Sequence, residues 1–302
     1  MTRLGIIGGA GLLGATTAFC AASRGLVDEI VLSDIRDNIA LSHVMDIEQA
    51  VCETSAAKLS ISGIEDLGTC DIVLITAGIP EKSALSRDDY LDGNIVIIRE
   101  LAEKIRRWGT QPVILSATNP VDVLNYELFL RSELPRDIFI GFSRNDTLRF
   151  KWAISKETDI PVSQLDALVI GEHGDGQVPL FEYIRIRDSG SMLRLSDRQK
   201  ESIQHRVKSW FSDYQKLDSG RSSGWTSGVS ICRIIELILQ DSDEICSCSV
   251  IPRGEYGLTG LSIGLPVRLG RTGVKDIVEM GLSEDSMMQL TNAANKLRAY
   301  AG

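Results

Sequence analysis

Two short stretches concentrate the polar chemistry of the chain. In "VIGEHGDGQVPLF" an apolar run ends on His173, set among two acids and several glycines. In "NDTLRF", Asp146 and Arg149 stand three apart, which puts both on one face of a helix. A histidine exchanges a proton near neutrality, and a carboxylate bonded to its other ring nitrogen fixes the tautomer and stabilises the imidazolium. An arginine fork binds a carboxylate through two parallel hydrogen bonds. Together these groups suit acid–base work on a 2-oxo acid. Each also has a plain reading, because a solitary histidine usually serves the structure and a helical Asp/Arg pair is usually a surface contact of about 0–1 kcal/mol.

A second constellation sits in "IIGGAGLLGATTAFCAASRGLVDEIVLSDI". Gly8, Gly11 and Gly14 recur every three residues, and Gly9, Gly11 and Gly14 also satisfy G-x-G-x-x-G. Such glycines let the backbone turn tightly and approach a pyrophosphate, which then rests on the N-terminus of a helix opening near Leu12. Asp34 follows Gly14 by twenty residues, at the end of the next apolar run, where a carboxylate can accept from ribose hydroxyls. The glycines alone are a weak signal. Between a strand and a helix, with the acid at this distance, they indicate a dinucleotide. Asp34 would repel a 2′-phosphate, which favours NAD, while nearby Arg36 leaves NADP open.

The elements that must position these groups follow from the hydropathy pattern. "RLGIIG" (3–8), "EIVLSD" (29–34), "DIVLITAG" (71–78) and "PVILSATN" (112–119) read as strands buried on both faces, and 12–24, 38–51 and 88–107 have helical spacing. This predicts a Rossmann-type doubly wound parallel sheet over 1–142, with its ligand at the carboxyl ends of the strands. Residues 143–302 predict an α+β substrate domain: a helix at 144–157, strands around 166–171 and 180–187, polar-faced helices near 196–214 and 226–240, a hairpin-like region at 246–270 and a last helix at 283–300. A net charge of −9 argues against nucleic acid or anionic lipid as partner, and no apolar run approaches a membrane span, so a cytoplasmic protein is expected. The six cysteines read as buried thiols. "CSCS" at 246–249 has no second ligand cluster in sequence, and no metal is expected.

From end to end the chain resembles the lactate/malate dehydrogenases. The resemblance rests on the glycine turn, "ITAG", "SRDDYL", "TNPVDVLN", "DTLRF", "GEHGD", "GWTSG" and "GEYGLTGLSIGLPVRLGRTGV", and is greatest to the lactate-dehydrogenase-like malate dehydrogenases. It implies a homodimer or homotetramer that transfers hydride reversibly between a nicotinamide and a 2-hydroxy acid. It makes His173 the acid/base, Asp146 its orienting partner and Arg149 the clamp on the C1 carboxylate. Asn119 would bond near the reacting carbonyl, Arg87 would close on a loop over the developing charge, and Thr226 would line the opposite side. Gly8, Gly11, Gly14, Leu12, Leu13, Asp34, Ala77, Gly78, Asn94, Thr118 and Asn119 would surround the cofactor, NAD.

The departures from the family pattern cluster on the far side of the pocket. Glu81 stands six residues before Arg87, where arginine resembles a malate enzyme and glutamine a lactate enzyme. Two carboxylates about 4 Å apart at an effective dielectric near 20 repel by roughly 4 kcal/mol, so oxaloacetate is expected to be a poor substrate. Glu81 instead suits a substrate bearing an ammonium, a guanidinium or several hydroxyls, unless it pairs with Lys82 or Arg144 or the loop closes differently. Asn145 replaces the apolar residue usual beside the catalytic aspartate, in a segment one residue shorter than in the relatives it resembles. The rival readings are a malate dehydrogenase with a non-standard pocket, a non-catalytic NAD-binding sensor or scaffold, and an NAD-dependent glycosidase, which the missing metal ligands disfavour.

Overall fold

The computed structural model describes residues 1–79, 87–219 and 223–300, and only the backbone of 87–90. Glu81, Lys82 and the side chain of Arg87 lie outside the described residues. The first half runs β1 (Arg3–Ile7), α1 (Leu12–Ser23), β2 (Glu29–Ser33), α2 (Asp37–Val51), β3 (Lys58–Ile61), β4 (Ile72–Ile75), α3 (Arg87–Arg106), β5 (Val113–Ser116), α4 (Val121–Ser132) and β6 (Phe139–Gly141). These strands are parallel in the order β3-β2-β1-β4-β5-β6. Every residue of β4 and β5 is buried, as a sheet covered on both faces requires. The strand order reverses between β1 and β4. The glycine turn after β1 therefore opens into the crevice at the carboxyl edge, beside the residues that follow β2, β4 and β5.

The second half runs α5 (Arg144–Thr158), β7 (Leu165–Asp166), β8 (Val169–Gly171), β9 (Gln177–Pro179), β10 (Arg185–Ile186), α6 (Asp197–Lys216), α7 (Gly224–Leu239), β11 (Cys246–Val250), β12 (Ile263–Gly270), β13 (Gly273–Ile277) and α8 (Glu284–Arg298). The two halves share a sheet. β11 meets β6 antiparallel where Ser249 faces Gly141, and the pairing continues through β12, β8 and β9, with β13 on the side of β12. β7 and β10 form a separate two-stranded ribbon. A capping box starts α6: the Ser196 hydroxyl accepts from the backbone N–H of Gln199, whose side chain reaches back to the Ser196 N–H.

Several expectations change. Residues 166–171 divide between β7 and β8, which have different partners, and 180–187 holds a 3-10 turn at Phe181–Tyr183, so that β9 pairs with β8 instead. The pattern did not foretell α4, the edge strand β3 or the three-residue β6. α7 carries Arg233 and Glu236 on its outer side, while Ser227, Gly228, Ser230 and Cys232 are buried along with its isoleucines and Leu237. Its small residues allow close approach to α1, where a Cβ on Gly228 would lie 2.7 Å from the Thr16 methyl. Among the described residues no helix is long and apolar enough to cross a membrane.

Candidate active site

The first turn of α5 and the loop after β8 meet at one ion pair. His173 Nδ1 is 2.6 Å from Asp146 Oδ2, and the side chains of His173 and Asp146 are 19% and 3% exposed. The other Asp146 oxygen accepts from Gln177 Nε2 at 3.0 Å and faces Arg149 at 3.7 Å. With Nδ1 engaged by a carboxylate, Nε2 is the ring nitrogen left for an external group. Burial opposes protonation of the ring, but the charge and hydrogen bond of Asp146 outweigh it and hold the His173 pKa above its ordinary value. Arg149 stacks over Trp210, with its guanidinium carbon 4.4 Å from the ring centroid. Burial lowers the Arg149 pKa, and Asp146 opposes that shift.

A second carboxylate fixes the loop itself. Asp122, near the start of α4, is buried and accepts the His173 backbone N–H at 2.7 Å and the Ser249 hydroxyl. Desolvation pushes its pKa up to about 6, against the lowering effect of both donors. The loop that carries His173 is thus tied by its backbone to α4 and to the strand that joins the two halves.

Across the crevice the glycine turn is braced from β2 and β4. Asp34 Oδ2 accepts from the Ala10 N–H at 2.9 Å and Oδ1 from the Arg36 N–H at 3.0 Å. Asn94 on α3 is buried, accepting from the Ile79 N–H and donating to the Asn119 carbonyl, both at 2.8 Å. The Thr118 hydroxyl donates to the Ala77 carbonyl at 2.7 Å. These bonds lock the loops after β4 and β5 together.

Comparison with known proteins decides what this arrangement belongs to. Residues 2–141 match the NAD binding domain of the lactate/malate dehydrogenases, and residues 144–301 match the alpha/beta C-terminal domain of the same family. The chain belongs to the lactate/malate dehydrogenase family. A malate dehydrogenase of Halobacterium salinarum is 32% identical over 302 residues, covering 99% of this chain and 98% of the relative. The malate dehydrogenase structure from Aeropyrum pernix superimposes with a TM-score of 0.91 at 28% identity, covering 99% and 97% of the two chains. The Cryptosporidium parvum lactate dehydrogenase, complexed with lactic acid and nicotinamide adenine dinucleotide, gives 0.91 at 26% identity, covering 99% and 96%.

The protein is accordingly an oxidoreductase of lactate/malate dehydrogenase type, and NAD is its cofactor. The glycine turn fits that molecule. Gly8 has φ +90, and a Cβ on Gly14 would lie 2.5 Å from the Gly8 carbonyl oxygen, so the turn packs tightly on the start of α1 and on the loop after β4, the compact strand–turn–helix geometry that a pyrophosphate site of this kind requires. Leu12 and Leu13 open α1, where backbone N–H groups have no partner within the helix.

The fold brings most of the expected residues to the two sides of one crevice. His173, Asp146 and Arg149 come together, while Gly8, Gly11, Gly14, Asp34, Ala77, Gly78, Asn94, Thr118 and Asn119 edge the crevice on the first-half side. Thr226 is exposed at the start of α7, next to Trp225, which is 66% exposed. Arg144 is part-buried with a lowered pKa from desolvation, and its bond to Ser230 is long, at 3.4 Å. His43 is half-buried on α2, and His205 is exposed on α6. Sequence reasoning missed Asp122, Gln177 and the place of Trp210 under Arg149. Asp122 lies within "TNPVDVLN" and Gln177 within "GDGQVP", so their presence in family motifs was the available signal.

Proposed function

We propose that the protein is an NAD-dependent L-2-hydroxy acid dehydrogenase whose substrate is not plain malate. The observation that carries the reading is the buried Asp146–His173 pair with Arg149 one turn along the same helix. When bound, NAD supplies or accepts the hydride. His173 holds the proton at Nε2: as imidazolium it donates to the carbonyl oxygen of a 2-oxo acid, and as neutral imidazole it takes the proton from the hydroxyl in the reverse direction. Asp146 sets the tautomer and stabilises the charged ring. Arg149 binds the C1 carboxylate by its fork, and the Trp210 face limits where that fork can point. Asn119 and Arg87 orient and polarise the carbonyl, and Thr226 lines the side opposite Arg87. Glu81 disfavours a C4 carboxylate, which removes oxaloacetate from the preferred substrates. The working form is a homodimer or homotetramer located in the cytoplasm.

The test is NADH oxidation with a panel of 2-oxo acids, run for the parent protein and for His173→Asn. Turnover of at least one acid by the parent is expected, with a loss of about 10²–10⁴-fold in the variant and NADH affinity retained. An active His173→Asn protein would remove the assigned role. A parent protein that binds NADH and reduces no 2-oxo acid would favour the sensor reading instead.

A further inference from the structure

We propose that Asn145 is a specificity-determining residue that offers a buried hydrogen-bond acceptor to a hydroxyl carried beyond the carbonyl of the substrate. The inference rests on the dehydrogenase reading above and names the substrate class for that site. Asn145 precedes Asp146 in the first turn of α5 and lies four residues before Arg149. It therefore shares a helix face with the guanidinium that takes the C1 carboxylate. Its side chain reaches α7, where Nδ2 donates to Ser227 Oγ at 2.7 Å, one residue beyond Thr226.

The orientation of the amide is set by Ser227. That hydroxyl has a single hydrogen, and it is given to the Ser223 carbonyl at 2.9 Å. What Ser227 presents to Asn145 is a lone pair, which calls for the amide nitrogen and turns Oδ1 the other way. Asn145 is only 6% exposed, and its Oδ1 has no hydrogen-bond partner among the described residues. A buried acceptor left without a donor keeps its desolvation penalty uncompensated. The chain keeps this group next to its catalytic pair, where a leucine would pack at no such cost.

The ligand that relieves the cost must bring a donor. A methyl or longer alkyl group cannot, and a carboxylate would set a second acceptor against the first. A distal hydroxyl fits, because it gives its hydrogen to Oδ1 and remains neutral. Arg144, on the neighbouring position, does not substitute for it, since its guanidinium is turned to Ser230.

The experiment compares kcat/KM, with NADH saturating, for isosteric pairs of 2-oxo acids: 3-hydroxypyruvate against 2-oxobutanoate, and 4-hydroxy-2-oxobutanoate against 2-oxopentanoate, with oxaloacetate as the anionic member. The parent protein is expected to prefer the hydroxylated member of at least one pair by about 10- to 100-fold. Asn145→Leu should bring that ratio to about unity or reverse it, with the NADH dissociation constant within about twofold of the parent. Ser227→Ala, a smaller change that frees the amide to rotate, should lower the ratio in the same direction. A parent preference for the alkyl member of both pairs, or for oxaloacetate, overturns the proposal even if no variant folds. A ratio unmoved by Asn145→Leu overturns it as well, and a simultaneous tenfold weakening of NADH would assign the acceptor to the cofactor. Turnover without a preference sinks this inference alone, whereas NADH binding with no turnover of any acid sinks it together with the dehydrogenase reading.

Discussion

The two sides of the crevice are built by opposite means. On the glycine-turn side, between β1 and α1, the architecture depends on atoms that are missing: a Cβ at Gly8 would fall 2.6 Å from the Ala77 nitrogen and one at Gly14 2.5 Å from the Gly8 oxygen. On the α5 side it depends on charge held in place, with Asp146 shared among an imidazole, an amide and a guanidinium. The first arrangement is intolerant of added volume at its glycines, with Asp34 its one carboxylate brace. The second tolerates small changes of shape and fails when a charge is removed.

Three substitutions would break or sharpen this contrast. The largest effect is expected from Asp146→Asn, which keeps the volume and removes the charge. It should lower kcat for 2-oxo acid reduction by about 10²-fold or more, within the range of acid–base contributions, with little change in NADH affinity. The pH profile should move too. In the parent protein the His173 pKa is raised, so reduction, which needs the imidazolium, persists to higher pH than an ordinary histidine allows and declines as pH rises through that pKa. Oxidation, which needs the neutral ring, has the mirror-image profile. Asp146→Asn should carry both profiles to lower pH, and initial rates across pH 5–9 would show it; a drop in rate with unmoved profiles would mean that Asp146 does not set the protonation of the ring.

Gly14→Val is the converse change, all volume and no charge. It should weaken NADH binding by about tenfold or more, because the added carbon meets backbone and not a flexible side chain. Fluorescence titration would measure this, and unchanged affinity would deny that the bare turn is the binding surface. The smallest effect belongs to Trp210→Ala, which leaves every formal charge in place but removes the ring under Arg149. A cation–π contact of about 0.5–2 kcal/mol predicts a rise in KM of a few fold to about thirtyfold, with kcat nearly preserved. A loss confined to kcat would show that Trp210 serves the chemistry and not carboxylate binding.

The same contrast explains what could be read before the fold was known. His173, Asp146 and Arg149 are legible because their chemistry is unusual in their local context, and Gly8, Gly14 and Asp34 because their spacing is fixed by one strand, one turn and the next strand. Asp122 is not legible in this way: it meets the His173 backbone from 51 residues away, and apart from its place in a family motif it reads as a surface acid at a helix start. Gln177 contacts Asp146 from 31 residues away, through a chain reversal between β8 and β9 that hydropathy placed elsewhere. Trp210 lies on a helix whose exposed charges dominate its pattern. The buried side of α7 was not legible for another reason, since serine, glycine and cysteine count as polar or neutral in a periodicity but are the residues that let two helices touch. Asn145 was legible only as an oddity, and its meaning depends on Ser227, 82 residues further along.

The tether between Asp122 and the backbone amide of His173 has a consequence for how this fold can be altered. An amide proton is supplied by any amino acid except proline, so the anchor is independent of the genetic choice made at position 173. The imidazole can be exchanged for a nucleophile, a metal-binding group or an inert spacer while the backbone amide still has its Asp122 acceptor. The scaffold therefore separates where a reactive group is held from what that group is, which makes this position a suitable socket for installing chemistry that natural selection did not put there.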